Sequence, residues 1–231
     1  MSVFKNTIWD GVPTSVSILV PTRDTVYSHF SYSLGNLIKT TTQMGVNTHL
    51  FFDASTILIN QRERLIQQAI EVKSEWALWL DSDMMFPSTT LLRLLSHNQD
   101  IVACNYMKRS HPFKSVTFMD TNDWESWVPL QSEDELLTVD ATGMGCLLMR
   151  TSIFQKLNKP YFEYTFQPTT KDWLGEDFTL FKKLNSLGYQ LKIDMNLSNE
   201  IYHIGTFAYG KSLQANTQKK KEWESKRKKT K

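Results

Sequence analysis

Two carboxylates separated by one residue, Asp81 and Asp83, follow directly on the apolar run Trp76-Ala77-Leu78-Trp79-Leu80. A short apolar run bounded by polar residues reads as a buried strand. The acidic pair then sits at its carboxyl end, where open α/β sheets bind their ligands. Two oxygen ligands in that position suit a hard cation, magnesium or manganese, with coordination sites left for the oxygens of a diphosphate. The same tripeptide also suits a polar turn that only closes a strand. A second acidic pair, Glu176 and Asp177, opens a helical stretch after Trp173-Leu174-Gly175. Negative charge is favourable in the first turn of a helix, so helix capping is one reading. The other is a reactive carboxylate beside an aromatic platform of the kind that holds a sugar ring.

The elements that would carry these residues alternate. Val16 to Val20 reads as a strand running into the polar loop Pro21-Thr22-Arg23-Asp24, and Tyr27 to Met44 as a helix stopped by Gly45. Thr48 to Phe52 gives a second strand closing at Asp53, and Leu58 to Val72 repeats its apolar residues on a helical period before the Trp76 strand. A β-α-β-α-β order calls for a mostly parallel sheet with helices on both faces and all strand ends at one edge. A short helix from Pro87-Ser88 to Leu95 and a fourth strand at Ile101 to Cys104 follow. From Lys108 to Asp134 short alternating runs such as Ser115 to Met119 suggest a smaller antiparallel insertion. Val139 to Met149 reads as one buried strand interrupted by Gly143 and Gly145, which permit a kink or a close ligand approach. A helix from Thr151 to Leu157, another from Gly175 to Leu187, and strands at Gln190 to Ile193 and Ile201 to Ile204 complete the pattern. The second half is expected to attach at the edge of the parallel sheet.

In order and separation these features resemble the glycosyltransferase A-type fold, a Rossmann-like α/β architecture. Within it they resemble the family-two-like enzymes that use nucleotide sugars, including short members encoded by tailed phages. The resemblance runs from Val16 to Gly205. Pro21, Thr22 and Arg23 look like the start whose loop surrounds the nucleotide base, and Asp81-Ser82-Asp83 matches the Asp-x-Asp motif. Thr142-Gly143-Met144-Gly145 looks like the glycine-containing strand beside the donor sugar, and Gly175-Glu176-Asp177 like the acidic motif that carries the catalytic base of inverting members. The resemblance implies a UDP-sugar donor, metal coordination by Asp83 with Asp81 at the ribose or a metal-bound water, and His203 as a further metal ligand that favours manganese over magnesium. It implies Asp177 as the base, assisted by Glu176, and Asp53 as a base or ribose contact. The acidic-glycine-serine loop usual at that point is replaced by Asp53-Ala54-Ser55-Thr56. Asn60, Arg62 and Arg64 lie on the next helix, where they reach the diphosphate or face solvent.

Composition bounds the class. With 231 residues, 41% hydrophobic and 22% charged, the chain can bury a sizeable core and is neither disordered nor membrane-embedded in composition. No run approaches the ~18 apolar residues of a membrane span, and residues 1–6 lack a signal-peptide core, so a soluble cytoplasmic protein is expected. Cys104 and Cys146 sit in apolar runs without metal spacing and read as buried free thiols. The net charge of +2 conceals a basic tail from Lys219 to Lys231, opposed only by Glu222 and Glu224. It is a solvated helix end or a polyanion-binding segment. Residues 1–210 are therefore expected to form the catalytic domain and 211–231 a basic tail. That tail and the phage resemblance imply a hydroxymethylated base in DNA as acceptor, rotated out of its stack, with a bacterial surface glycan, a protein side chain or a small metabolite as the open alternatives. Oligomeric state does not follow from the sequence.

Two rival classes share these features. A nucleotidyltransferase would place a glycine-rich basic loop after the first strand, yet Pro21-Thr22-Arg23-Asp24-Thr25 has no glycine. A non-catalytic sugar or nucleic-acid binding module would keep the fold without needing both acidic motifs. The Gln-x-x-Arg-Trp motif of processive polysaccharide synthases does not occur in the chain.

Overall fold

The computed structural model describes residues 14–109, 113–120, 134–168 and 171–205. Its first half follows the alternation in the sequence. Strand β1 (Ser15–Thr22) leads to helix α1 (Ser28–Gln43), β2 (Asn47–Ala54), α2 (Leu58–Glu71) and β3 (Trp76–Leu80). A two-residue strand β4 (Met84–Met85), helix α3 (Thr90–Ser96) and strand β5 (Ile101–Ala103) follow. After these come β6 (Leu136–Val139), β7 (Cys146–Arg150), a 3₁₀ turn (Thr151–Lys156), and the paired strands β8 (Thr165–Gln167) and β9 (Asp172–Leu174). Helix α4 (Glu176–Ser186), β10 (Leu191–Asp194), α5 (Met195–Ser198) and β11 (Tyr202–His203) end the described chain.

The central sheet has the order β2-β1-β3-β7-β5-β10-β6. Five of its strands run one way, and β7 and β6 run against them. Strand β3 explains why helices must cover both faces. All five of its residues are buried, with Trp76, Leu78 and Leu80 packed on one side and Ala77 and Trp79 on the other. The first side packs against Phe30, Leu34 and Leu37 of α1 and Leu91, Leu94 and Leu95 of α3. The second packs against Leu65, Ile66 and Ala69 of α2 and Leu180, Phe181 and Leu184 of α4. Each fully buried side chain of this kind contributes about 1.5–3 kcal/mol, so β3 cannot be solvent-facing on either side. Gly45, at φ +82°, lets the chain leave α1 in a left-handed conformation that a Cβ would strain.

Two expectations are corrected. Residues 139–149 do not form one strand. Leu136–Val139 pairs with β10, whereas Cys146–Arg150 lies between β3 and β5, and the intervening loop is held by a bridge from Ala141 to Phe118 and by Tyr106 beneath the glycines. The second half is also not attached only at an edge, because β7 is inserted in the middle of the sheet. Its buried run Cys146-Leu147-Leu148-Met149 supplies apolar residues to both faces, as a central strand requires. The antiparallel character expected after Lys108 is present as bridges Met107 to Ser115 and Phe118 to Ala141. Residues 121–133 and the basic segment from Lys219 lie outside the described residues.

Candidate active site

Because β1, β2, β3 and β5 are parallel, the loops that follow them gather at one edge of the sheet. Strand β7 is antiparallel, so the loop that precedes it, with Gly143 and Gly145, comes to the same edge. There the Asp81 N–H donates to the Gly145 carbonyl at 3.2 Å. The Tyr27 N–H donates to the Ser82 carbonyl at 3.4 Å, and the Ile204 N–H to the Asp83 carbonyl at 2.7 Å. The acidic loop is therefore fixed from three elements. Gly145 is required by close approach: a Cβ there would lie 2.6 Å from the Tyr106 hydroxyl oxygen, which accepts the Gly145 N–H at 2.9 Å. Gly143 meets the same hydroxyl with no room for a side chain. Burial raises the Tyr106 pKa well above the usual phenol value, so the hydroxyl stays neutral.

Beneath the acidic loop lies Arg62, which is buried. On α2 it shares the face of Leu65, Ile66 and Ala69, and its guanidinium lies over the Trp79 ring at 5.6 Å. Its Nη2 is 3.5 Å from Asp81 Oδ1 and its Nε 3.2 Å from Glu176 Oε1, while Nη1 is buried with no hydrogen-bond partner among the described residues. The solvent-facing alternative for Arg62 is thus excluded. This guanidinium joins the Asp-x-Asp loop to the first turn of α4. Burial lowers the Arg62 pKa, but Asp81 and Glu176 outweigh it and the net direction is upward. Asp81 is raised above the ordinary carboxylate value by burial, against the opposing pull of Arg62.

Next to this pair, Asp177 is only partly exposed, and its Oδ1 accepts the Phe178 N–H at 2.8 Å. Burial first, then the neighbouring Glu176 charge, pushes its pKa from 3.8 to about 7, with Arg62 opposing. A carboxylate poised near neutrality can take a proton and release it, which the ordinary capping role does not require.

On the other side of Asp81 a cleft of about 340 Å³ is bordered by Pro21, Thr22, Arg23, Asp83, Arg109 and His203. Six sequence-predicted residues (Pro21, Thr22, Arg23, Asp81, Asp83 and His203) thus surround one volume. Its floor is ordered by Gln61, a residue the sequence reading did not single out, whose amide donates to the carbonyls of Thr22, Asp53 and Ser55. Asp53 itself does not border the cleft. Its carboxylate is held bidentately by Arg64, both bonds at 2.6 Å, and Ser55 and Thr56 form the wall at that point. Arg109 was also missed. It follows β5 at the same sheet edge, a position that marks it once the sheet order is known, and its Nη1 is 2.7 Å from Asp83 Oδ2.

Asp83 and His203 meet with Oδ1 and Nε2 3.5 Å apart. His203 Nδ1 is 3.0 Å from the Met107 carbonyl, which only an Nδ1–H can satisfy. With Nδ1–H directed at that carbonyl, Nε2 is the ring atom that faces a carboxylate oxygen, an arrangement completed by a proton or a cation between them. Burial raises the Asp83 pKa, but His203 and Arg109 outweigh it and hold the carboxyl below its usual value. Among the described residues no group of three or more His, Cys, Asp and Glu side chains converges as a metal site. One carboxylate and one imidazole nitrogen, Asp83 and His203, are the side chains that would hold manganese or magnesium, with the other ligands to be supplied by a diphosphate and water.

Residues 56–140 match the Anp1 family. Over 76 residues the chain is 33% identical to the mannan polymerase complex subunit mnn9 of Schizosaccharomyces pombe, which covers 32% of this chain and 21% of that protein. The chain thus spans about a fifth of the length of this curated relative. Among solved structures, A197 from STIV superposes with a TM-score of 0.51 at 13% identity, over 85% of this chain and 97% of that one. A glycosyltransferase involved in the glycosylation of the major capsid of PBCV-1 gives a TM-score of 0.42 at 15% identity, over 84% and 95% of the two chains. No helix among the described residues is long and apolar enough to cross a membrane. The chain has an open α/β fold with a seven-stranded, mostly parallel central sheet of the kind found in A197 from STIV, and its segment 56–140 matches the Anp1 family.

Proposed function

We propose that this protein transfers a glycosyl group from a nucleotide sugar, of the UDP type, to an acceptor hydroxyl with inversion. The observation that carries the reading is the placement, at one sheet edge, of the cleft around Asp83, Arg109 and His203 and of Asp177 beyond Asp81 and Arg62. The donor's diphosphate lies in the cleft, where Arg109 and Arg23 oppose its charge. A metal ion held by Asp83 and His203, with Asp81 nearby, would supply Lewis-acid stabilisation of the leaving diphosphate. The acceptor oxygen forms its bond to the anomeric carbon as the bond from that carbon to the diphosphate oxygen breaks. Asp177 accepts the proton of the acceptor hydroxyl, and Glu176 keeps it basic by electrostatic repulsion. Arg62 holds the two halves of the site in register. The DNA acceptor rests on the basic segment from Lys219, outside the described residues, whereas the mnn9 relative carries a mannan polymerase name.

The test is release of nucleoside diphosphate from UDP-glucose, UDP-galactose, UDP-N-acetylglucosamine and GDP-mannose, with manganese, magnesium or chelator. Metal-dependent release from one donor is expected, lost in Asp83→Ala. Asp177→Asn should spare donor binding and slow transfer by about 10²–10⁴-fold. A transfer rate equal to wild type in Asp177→Asn would overturn the base assignment.

A further inference from the structure

We propose that a cavity beside the β8–β9 hairpin is the acceptor site, and that it takes a pyranose ring of a neutral glycan. The inference rests on the transferase reading above and adds the acceptor's class and position. The cavity has a volume of about 370 Å³, within the range of small-ligand pockets. Phe118 and Phe178, edge to face with ring centres 5.2 Å apart, form part of its wall together with buried Leu174. Trp173 forms the rim and is 64% exposed. Polar groups are few and varied: the Lys108 ammonium, the Gln167 amide and the Asp172 carboxylate. An aromatic wall matches the C–H face of a sugar ring, and an amide, a carboxylate and an ammonium match its hydroxyls.

Position ties this cavity to the chemistry. Gly175 is part of its lining, and a Cβ on Gly175 would lie 2.7 Å from Asp177 Oδ1. The carboxylate assigned as base thus stands against a residue of the cavity's lining. The hairpin is braced by its own pairing, Thr165 to Leu174 through Gln167 to Asp172, and by the Thr179 hydroxyl donating to the Thr165 hydroxyl at 3.3 Å. Thr179 belongs to α4, so the helix that carries Glu176 and Asp177 also fixes the platform. Phe166 stands directly opposite Trp173, the two rings 5.4 Å apart, and is itself 47% exposed. This pair extends the aromatic surface beyond one ring, as a chain of sugars requires. The charge suits a neutral occupant, because the Lys108 ammonium and the Asp172 carboxylate offset each other in the lining and offer a sugar's hydroxyls a donor and an acceptor rather than a cationic bed for phosphates.

The experiment uses the full chain, with methyl pyranosides of glucose, galactose, mannose and N-acetylglucosamine, their disaccharides, and hydroxymethylated single-stranded DNA as probes. Binding is read by saturation-transfer NMR and, for UDP and GDP, by titration calorimetry. We expect at least one saccharide to bind, and Trp173→Ala and Asp172→Asn each to weaken it at least tenfold while the UDP Kd shifts less than twofold. Trp173 is exposed, so its replacement leaves the core intact, and UDP binding confirms that each variant is folded. Saccharide binding equal in wild type and both variants overturns the proposal, as does UDP binding without binding of any saccharide. DNA binding that is lost in Trp173→Ala overturns the neutral-glycan occupant. Trp173-dependent saccharide binding with neither UDP nor GDP bound upholds the site and overturns the transferase reading instead.

Discussion

Replacing Asp177 by asparagine should make the protein more stable at pH 8 while it destroys transfer. The carboxyl pKa moves from 3.8 to about 7 on folding because the group is withdrawn from water beside Glu176. A folded-state pKa above the unfolded one means that the stabilising, protonated state is complete below about pH 4 and is lost as pH rises through 7. At about 1.4 kcal/mol per pKa unit, the ionised group costs about 4 kcal/mol at pH 8 and about 1–2 kcal/mol at pH 5. Glu176 shares the repulsion, so one substitution recovers about 2–4 kcal/mol. For a chain of this size each kcal/mol moves Tm by about 2–4 °C. Asparagine keeps the shape and the oxygen that accepts the Phe178 N–H, so little else changes. Thermal melts of wild type and Asp177→Asn between pH 5 and 8.5 should therefore diverge with pH, the variant leading by about 5–15 °C at pH 8. A gap that stays constant across that range, or a wild type that is the more stable at pH 8, would refute the argument that burial and Glu176 set this proton's affinity.

Two further predictions follow from the groups around it. Arg62→Met leaves the buried Glu176 and the partly exposed Asp81 without their cation and should cost about 3 kcal/mol, a Tm loss of about 6–12 °C. Asp81 is already raised and rises further without Arg62, so the deficit should be largest at alkaline pH and shrink toward pH 5; a pH-independent deficit would contradict the ion pairing. Gly145→Ala forces the Tyr106 ring away and should cost about 1–3 kcal/mol, with UDP binding weakened because Asp81 is anchored on the Gly145 carbonyl. Unchanged melting and UDP affinity in Gly145→Ala would show that the close contact carries no constraint.

The first three strands and the helices between them were legible because their apolar runs are short, continuous and separated by helical periods. Asp81 and Asp83 were legible for the same reason, since a strand end in a parallel sheet is a place as well as a residue. The end of β6 and most of β7 fall within one apparent run, Val139 to Met149, because it is almost uniformly apolar or small, and pattern alone does not record which neighbours a strand chooses. Arg62 carried a usable signal, its spacing of three, four and seven from Leu65, Ile66 and Ala69 on the buried helix face. Arg109 and Tyr106 carried less, as they stand in an irregular stretch whose place is set by long-range pairing. Asp53 is the converse case: its strand end was legible, whereas its pairing with Arg64 of the following helix was not.

The sheet order also bears on how this architecture is cut and inherited. The segment that matches the Anp1 family, 56–140, contains β3, β4, β5 and β6, yet no two of these four strands pair with each other. Strand β3 lies between β1 and β7, β5 between β7 and β10, β6 pairs with β10 and β4 with β11, all partners from outside the segment. Excised at those limits, the piece would have every ladder hydrogen bond of these strands left open and would not be an independent folding unit. A stretch of recognisable sequence is here a set of inserts held apart by its flanks, so gene fragments designed on the match would express as aggregating chain, and any productive exchange with a related protein would have to carry the flanking strands along.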